Sequence, residues 1–131
     1  MNAKIYFSMF LTLVLSVATL TAQSNAKTEV NSTEVSSMLK KNNKLIVLDV
    51  RTADEFKEGH IKGAINMDVR QSDFEYKVNK LDKNAKYIVH CRTNHRSTMA
   101  VEAMVKGGFK TIYQMMDGFS GWTASGLPVA K

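Results

Sequence analysis

The stretch "KYIVHCRTNHRSTMAVEAMVKGG", residues 86–108, decides the fold. Its opening, "KYIVHC", reads as a strand buried on both faces. Its close, "STMAVEAMVKGG", reads as a helix beginning near Ser97, with Met99, Val101, Met104 and Val105 as core candidates. Gly107 or Gly108 ends that helix. Between strand and helix lies a short loop that starts at Cys91, the only cysteine of the chain. Arg92 and Arg96 follow within five residues.

The same alternation continues outward. Upstream, "KLIVLDV" is a second continuous apolar run, ending near Asp49. Before it, "NSTEVSSMLKKNN" reads as a helix that Asn31 or Ser32 can cap, with Glu34 placed to complement its positive end. After it come a short helix in "TADEFKEG", a turn and short extended piece in "HIKGAINM", and a helix in "DFEYKVNKL". Downstream, "KTIYQM" is a further strand, and "DGFSGWTASGLPV" a turn, a short helical piece and a closing loop. Residues 23–31, "QSNAKTEVN", look like a linker. Strands alternating with helices predict an α/β fold: a parallel β-sheet with helices on both faces. Ligands of such sheets sit outside the carboxyl ends of the strands, where Asp49 and Cys91 both fall.

Length and composition bound the rest. The 131 residues suit one domain, and 44% hydrophobic residues with a single proline argue against disorder. The N-terminus stands apart. Lys4 precedes an apolar stretch, Ile5 to Leu20, interrupted by Ser8, Thr12, Ser16 and Thr19, and small residues follow. That pattern describes a secretory signal peptide over 1–24, cleaved after Ala22 or Ser24, with a folded domain over 25–131. The expectation is a periplasmic or secreted protein with no stable membrane anchor after processing. Its net charge of +6 falls to about +5 without Lys4. The basic residues are scattered, which favours small anions over nucleic acid as partners.

Two readings of Cys91 compete. A lone cysteine at a strand end is commonly an inert, packed residue. An odd thiol in an exported protein also suggests intermolecular pairing or a reactive site. Tight-loop amides, the N-terminus of a helix and two guanidinium groups all favour thiolate over thiol, and the same donors would hold an oxyanion. Asn94 suits such a loop because it tolerates positive φ better than most residues. Asp49 could serve as a catalytic acid but reads first as a cap for the turn that follows it, and Arg51 with Glu55, four apart, reads as a supporting ion pair. His90 is adjacent to Cys91 on a strand, so its side chain faces away. His95 reads as solvent-facing, His60 as a candidate base and Trp122 as a packing aromatic. A Cys91–His95 metal site lacks further ligands at recognisable spacing.

Three motifs in order resemble the rhodanese-like domain family. "CRTNHRS" resembles the Cys-Arg-x-Gly-x-Arg-Ser loop of that family. "LDVRTADEFKEGHIKGAINM" resembles its N-terminal signature and "DGFSGWTASGLPV" its C-terminal one. Together they span roughly Ser32 to Val129. Asn94 replaces the usual loop glycine, and Asp117 replaces the first glycine of the C-terminal pair, as a turn substitution.

The resemblance implies a single rhodanese-like domain acting as a thiosulfate sulfurtransferase, with no metal and no organic cofactor. Cys91 would be the nucleophile that carries a persulfide. The main-chain amides of Arg92, Thr93, Asn94, His95 and Arg96 would cradle it, with the Arg96 and Arg92 side chains on the sulfonate. Cyanide, a thiol or a protein thiol would accept the sulfur. Asp49, Arg51 and Glu55 would support the loop, and His60 would be structural rather than a base. Four residues between Cys91 and Arg96 resemble the sulfur-transfer form, since the phosphatase relatives carry one more. The charge of Arg92 favours thiosulfate over 3-mercaptopyruvate. The alternatives are a protein-to-protein sulfur relay and a non-catalytic binding module of the same fold.

Overall fold

The structure is a computed structural model describing residues 25–131. The signal segment expected over 1–24, with its cleavage after Ala22 or Ser24, lies outside the described residues. The elements run β1 (Lys27–Val30), α1 (Ser32–Lys41), β2 (Ile46–Asp49), α2 (Ala53–Glu58), β3 (Ile65–Asn66), α3 (Phe74–Val78), β4 (Lys86–His90), α4 (His95–Lys106), β5 (Thr111–Met115) and α5 (Gly118–Ala124). Five strands form one sheet in the order β1-β5-β4-β2-β3, and every pairing is parallel.

Strand alternation sorts the core into two layers. Leu48, Tyr87, Val89, Cys91 and Ile112 pack against α3 and α4 through Phe74, Val78, Ala100, Val101 and Met104. Val47, Ile88 and Met115 pack on the other face against Val35 of α1 and Trp122 of α5. Leu48 and Ile88 are wholly buried, which is worth about 1.5–3 kcal/mol for each. Helices therefore cover both faces, as the sequence predicts.

The order of strands also fixes where a ligand can sit. The chain steps outward from β2 to β3 in one direction, and from β4 to β5 in the other. The reversal lies between β2 and β4, and the crevice beyond their carboxyl ends is the expected binding position. The turn after Asp49 and the loop from Cys91 border it.

Three expectations change. Residues Lys27–Val30 are not linker but an edge strand paired with β5, in register from Lys27 with Ile112 to Val30 with Met115. Its stability comes from the ladder, so it carries no apolar run to read, and its charged residues suit an edge. Second, α4 starts at His95 rather than near Ser97. Third, Ser97, Ala100, Val101 and Met104 face the core, while Met99 and Val105 are 46% and 45% exposed. Spacings of three and four select the buried set, and Met99 and Val105 fall off that stripe.

The helix entries are locally determined. At α1, Asn31 accepts the Glu34 N–H at 2.9 Å and Glu34 accepts the Asn31 N–H at 3.2 Å, a reciprocal cap. The Asp117 carboxylate accepts the Ser32 N–H at 3.0 Å, so this departure from the family pattern ties α1 to α5. His60 accepts from and donates to Ala130 through its backbone, and its ring stacks on Phe56 at 3.8 Å. Trp122 is 4% exposed and donates Nε1–H to the Pro128 carbonyl at 2.8 Å.

Candidate active site

Cys91 follows β4 directly and is 1% exposed, packed with the α4-side core. The geometry after it is set by where the loop carbonyls go. The Cys91 carbonyl accepts the Phe119 N–H at 2.8 Å and His90 Nδ1–H at 3.0 Å. The Arg92 carbonyl accepts the Ser120 N–H at 2.9 Å. Both donors of the backbone lie at the start of α5, whose first amides have no partner inside the helix. The Asn94 carbonyl accepts three donors: Thr98 N–H at 2.9 Å, Ser97 Oγ–H at 3.0 Å and Thr98 Oγ1–H at 2.8 Å.

In a planar trans peptide the carbonyl and the next amide point in opposite directions. Tying back the carbonyls of Cys91, Arg92 and Asn94 thus turns the amides of Arg92, Thr93 and His95 the other way. Among the described residues, no hydrogen bond uses the N–H groups of Arg92, Thr93, Asn94, His95, Arg96 or Ser97. Consecutive free amides leading into a helix N-terminus form an anion-binding concavity. Asn94 reaches this arrangement at φ −147°, so the positive φ expected of it is not used. Gly118 supplies the positive φ instead, at +59°, and lies directly behind the Arg92 and Thr93 carbonyls.

The two arginines differ in kind. Arg96 is 8% exposed, and its two terminal nitrogens bond both carboxylate oxygens of Glu55, at 2.6 and 3.0 Å. Its guanidinium is therefore engaged in holding the loop against α2, and Glu55 already offsets its charge. Arg92 has a side chain 64% exposed, with Nε 3.7 Å from Glu55, and remains reachable by a solute. Thr93, Asn94 and His95 are exposed. Glu55 also accepts from the Thr52 hydroxyl, which in turn caps α2. The bonds from Arg96 hold the Glu55 carboxyl at about 2, below its ordinary 4.5, against the opposing effect of burial.

A folded-state value below the unfolded one stabilises the fold at pH above 4.5, and that contribution is lost as the pH falls toward 2. Thermal unfolding of wild type and Glu55→Gln across this range checks the point. The gap between the two melting temperatures is expected to be widest above pH 4.5 and to close toward pH 2. A gap that does not vary with pH would contradict the pairing.

The expected Arg51–Glu55 ion pair does not form. Arg51 turns back to Asp49, with Nη2 2.7 Å from Oδ2 and Nε 3.0 Å from Oδ1, and also donates to the Gly59 carbonyl at 2.7 Å. Asp49 caps its turn by accepting the Arg51 N–H at 3.1 Å. Both residues are buried, and the Arg51 guanidinium lies 4.0 Å over the Phe119 ring. Spacing of four favoured Glu55 on a helix, but Arg51 precedes α2 and is not on its surface. His90 faces the α5 side, opposite Cys91, as alternation requires. Burial lowers its proton affinity below the ordinary range, against the opposing pull of Asp49, and Nδ1 faces the Cys91 carbonyl. That the His90 ring anchors the Cys91 carbonyl is legible only once its neighbours are known.

The chain belongs to the rhodanese-like domain family, whose profile matches residues 31–125. Among curated relatives, thiosulfate sulfurtransferase 16 of Arabidopsis thaliana chloroplasts is 33% identical over 62% of this chain and 76% of that one. Thiosulfate sulfurtransferase GlpE of Coxiella burnetii is 29% identical over 73% of this chain and 87% of that one. The putative sulfur carrier protein YrkF of Bacillus subtilis is 33% identical over 60% of this chain, which spans only 42% of that relative. The rhodanese-related protein of Thermoplasma volcanium superposes with a TM-score of 0.69 and 30% identity, over 78% of this chain and 96% of that one.

Proposed function

We propose that the protein is a sulfurtransferase that takes the outer sulfur of thiosulfate onto Cys91 and passes it to a thiol or to cyanide. The observation that carries this reading is the run of unpartnered amides, Arg92 to Ser97, starting directly after the only cysteine. In the first half-reaction the Cys91 thiolate attacks the outer sulfur of thiosulfate. A sulfur–sulfur bond forms to Cys91, and the sulfur–sulfur bond within thiosulfate breaks. Its electron pair leaves with sulfite, and the terminal persulfide sulfur carries the negative charge. In the second, cyanide attacks that terminal sulfur, thiocyanate leaves and the Cys91 thiolate is restored. This is covalent catalysis in two displacement steps.

The amides stabilise anionic sulfur in both steps, at no cost in reorganisation because their carbonyls are already tied back. Arg92, exposed beside the loop, is placed to meet the sulfonate. Arg96, paired with Glu55, holds the loop rather than the substrate. Clefts of about 450 and 580 Å³ are lined by other residues, and the loop contributes to neither. A site built of amides suits a compact anion. The names of the Arabidopsis and Coxiella relatives support thiosulfate. The sulfur carrier relative supports a second reading, in which a protein thiol is the physiological acceptor. With one cysteine in the chain, the accepting thiol comes from elsewhere in either case. Export through the segment 1–24 is part of the proposal and rests on its charge and apolar pattern.

Turnover of parallel donors tests the assignment. With cyanide as acceptor, thiosulfate is expected to give thiocyanate faster than 3-mercaptopyruvate does, and an aryl phosphate is expected to be left intact. Preferred use of 3-mercaptopyruvate, or brisk phosphate release, would overturn it.

A further inference from the structure

Gln114 is a polar residue near the carboxyl end of β5, wholly buried on the α4 side of the sheet. Its Nε2 group donates to Ser97 Oγ at 3.1 Å and to Thr98 Oγ1 at 3.0 Å. Its Oε1 atom is buried and has no hydrogen-bond partner among the described residues. An orphaned buried acceptor is destabilising, and an apolar side chain of the same shape would avoid it. The amide is therefore explained by its two donors.

Each hydroxyl it meets has a single hydrogen. By donating to both oxygens, Gln114 leaves that hydrogen free only to be given away, and both go to the Asn94 carbonyl, at 3.0 and 2.8 Å. The reversed amide would present Oε1 to the hydroxyls, draw their hydrogens off Asn94 and leave two buried donors orphaned. We propose that Gln114 is a positioning residue for the Cys91 loop: through Ser97 and Thr98 it holds the Asn94 carbonyl out of the amide cradle and so aims the His95 amide into it. Gln114 touches no reacting atom. The inference rests on the reading of the loop as an anion cradle for sulfur.

Gln114→Met in the full chain is the test. It removes both donors along with the orphaned acceptor, so the melting temperature is expected to stay close to that of wild type. Small displacements of oriented groups are costly to rate, and kcat/KM for thiosulfate is expected to fall about tenfold. A second readout needs no sulfur donor. The rates at which iodoacetate and neutral iodoacetamide alkylate the single cysteine, read by intact mass, report the preference of the loop for an anion. That ratio is expected to fall toward the value for an unstructured thiol. Combining Ser97→Ala with Thr98→Val should lower the ratio equally, and adding Gln114→Met to that pair should lower it no further. If the methionine variant does not fold, Gln114→Leu removes the same donors without adding charge and gives the same comparison.

A wild-type ratio and wild-type turnover in Gln114→Met would overturn the proposal. So would a loss that adds in full to that of the hydroxyl variants. Failure of wild type to use thiosulfate would count against the sulfur-transfer reading, while the alkylation ratio would still judge Gln114.

Discussion

Cys91→Ser is expected to abolish thiocyanate formation from thiosulfate and cyanide. The whole route passes through one sulfur atom, because no other cysteine exists to substitute for it. A serine hydroxyl in the same place is a far weaker nucleophile toward sulfur and cannot carry a persulfide. The loss should reach roughly 10³-fold or more, the scale seen when a covalent nucleophile is removed. The amide cradle remains in this variant, so thiosulfate should still bind. The buried position adds a complication. Cys91 is 1% exposed among apolar neighbours, and a hydroxyl there without a partner costs about 1–3 kcal/mol. Cys91→Ala avoids the hydroxyl, and the two variants should be equally inactive while differing in melting temperature. Turnover by either at a rate near wild type would mean that the thiol is the packed, silent residue that a lone cysteine commonly is.

Gly118→Ala should give the next largest effect. Gly118 sits at φ +59°, and a Cβ added there falls on the carbonyl oxygens of Arg92 and Thr93. Left-handed backbone costs an L-residue about 1–2 kcal/mol before any clash is counted. The clash then falls on the Arg92 carbonyl, which is tied back so that the Thr93 amide points forward, and on the Thr93 carbonyl beside it. The bonds from Phe119 N–H to Cys91 and from Ser120 N–H to Arg92 would have to lengthen. Turnover should drop on the order of 10²-fold, as for other misplaced catalytic groups. Gly126→Ala separates strain from position. Gly126 has φ +68°, but a Cβ there meets nothing within 4 Å among the described residues. It should lose only the conformational part of the stability, about 1–2 kcal/mol, and keep wild-type turnover. Equal turnover in the two variants would show that α5 does not set the loop.

These expectations draw on features of unequal legibility. The strands β2 and β4 are plain in the sequence because buried parallel strands are continuous apolar runs. The cap at Asn31 and the cysteine loop are local patterns, and local patterns can be read. The edge strand β1 cannot, since its four residues are held by pairing with β5 rather than by a buried side-chain pattern. Ion pairs fail for a related reason. Arg51 and Glu55 look like partners by spacing, yet each is drawn to a group outside that pair: Arg51 to the Asp49 carboxylate and the Gly59 carbonyl, Glu55 to Arg96 across 41 residues. Charge pairing is decided by tertiary neighbours, and short spacing is a poor guide off a helix. Gln114 did leave a trace, a polar residue alternating onto the face of Ile112 in an apolar strand, which demands a partner. The partner itself, two hydroxyls in the first turn of α4, became visible only with the fold.

The central claim is that Cys91 stores a sulfur atom within the amide cradle. Intact mass of the full chain after incubation with thiosulfate and removal of excess donor tests it most directly. The mass should rise by one sulfur atom, fall back on addition of cyanide, and not change at all in Cys91→Ala. An unmodified wild-type mass under conditions where the thiol is reduced, or the same gain in Cys91→Ala, would contradict it.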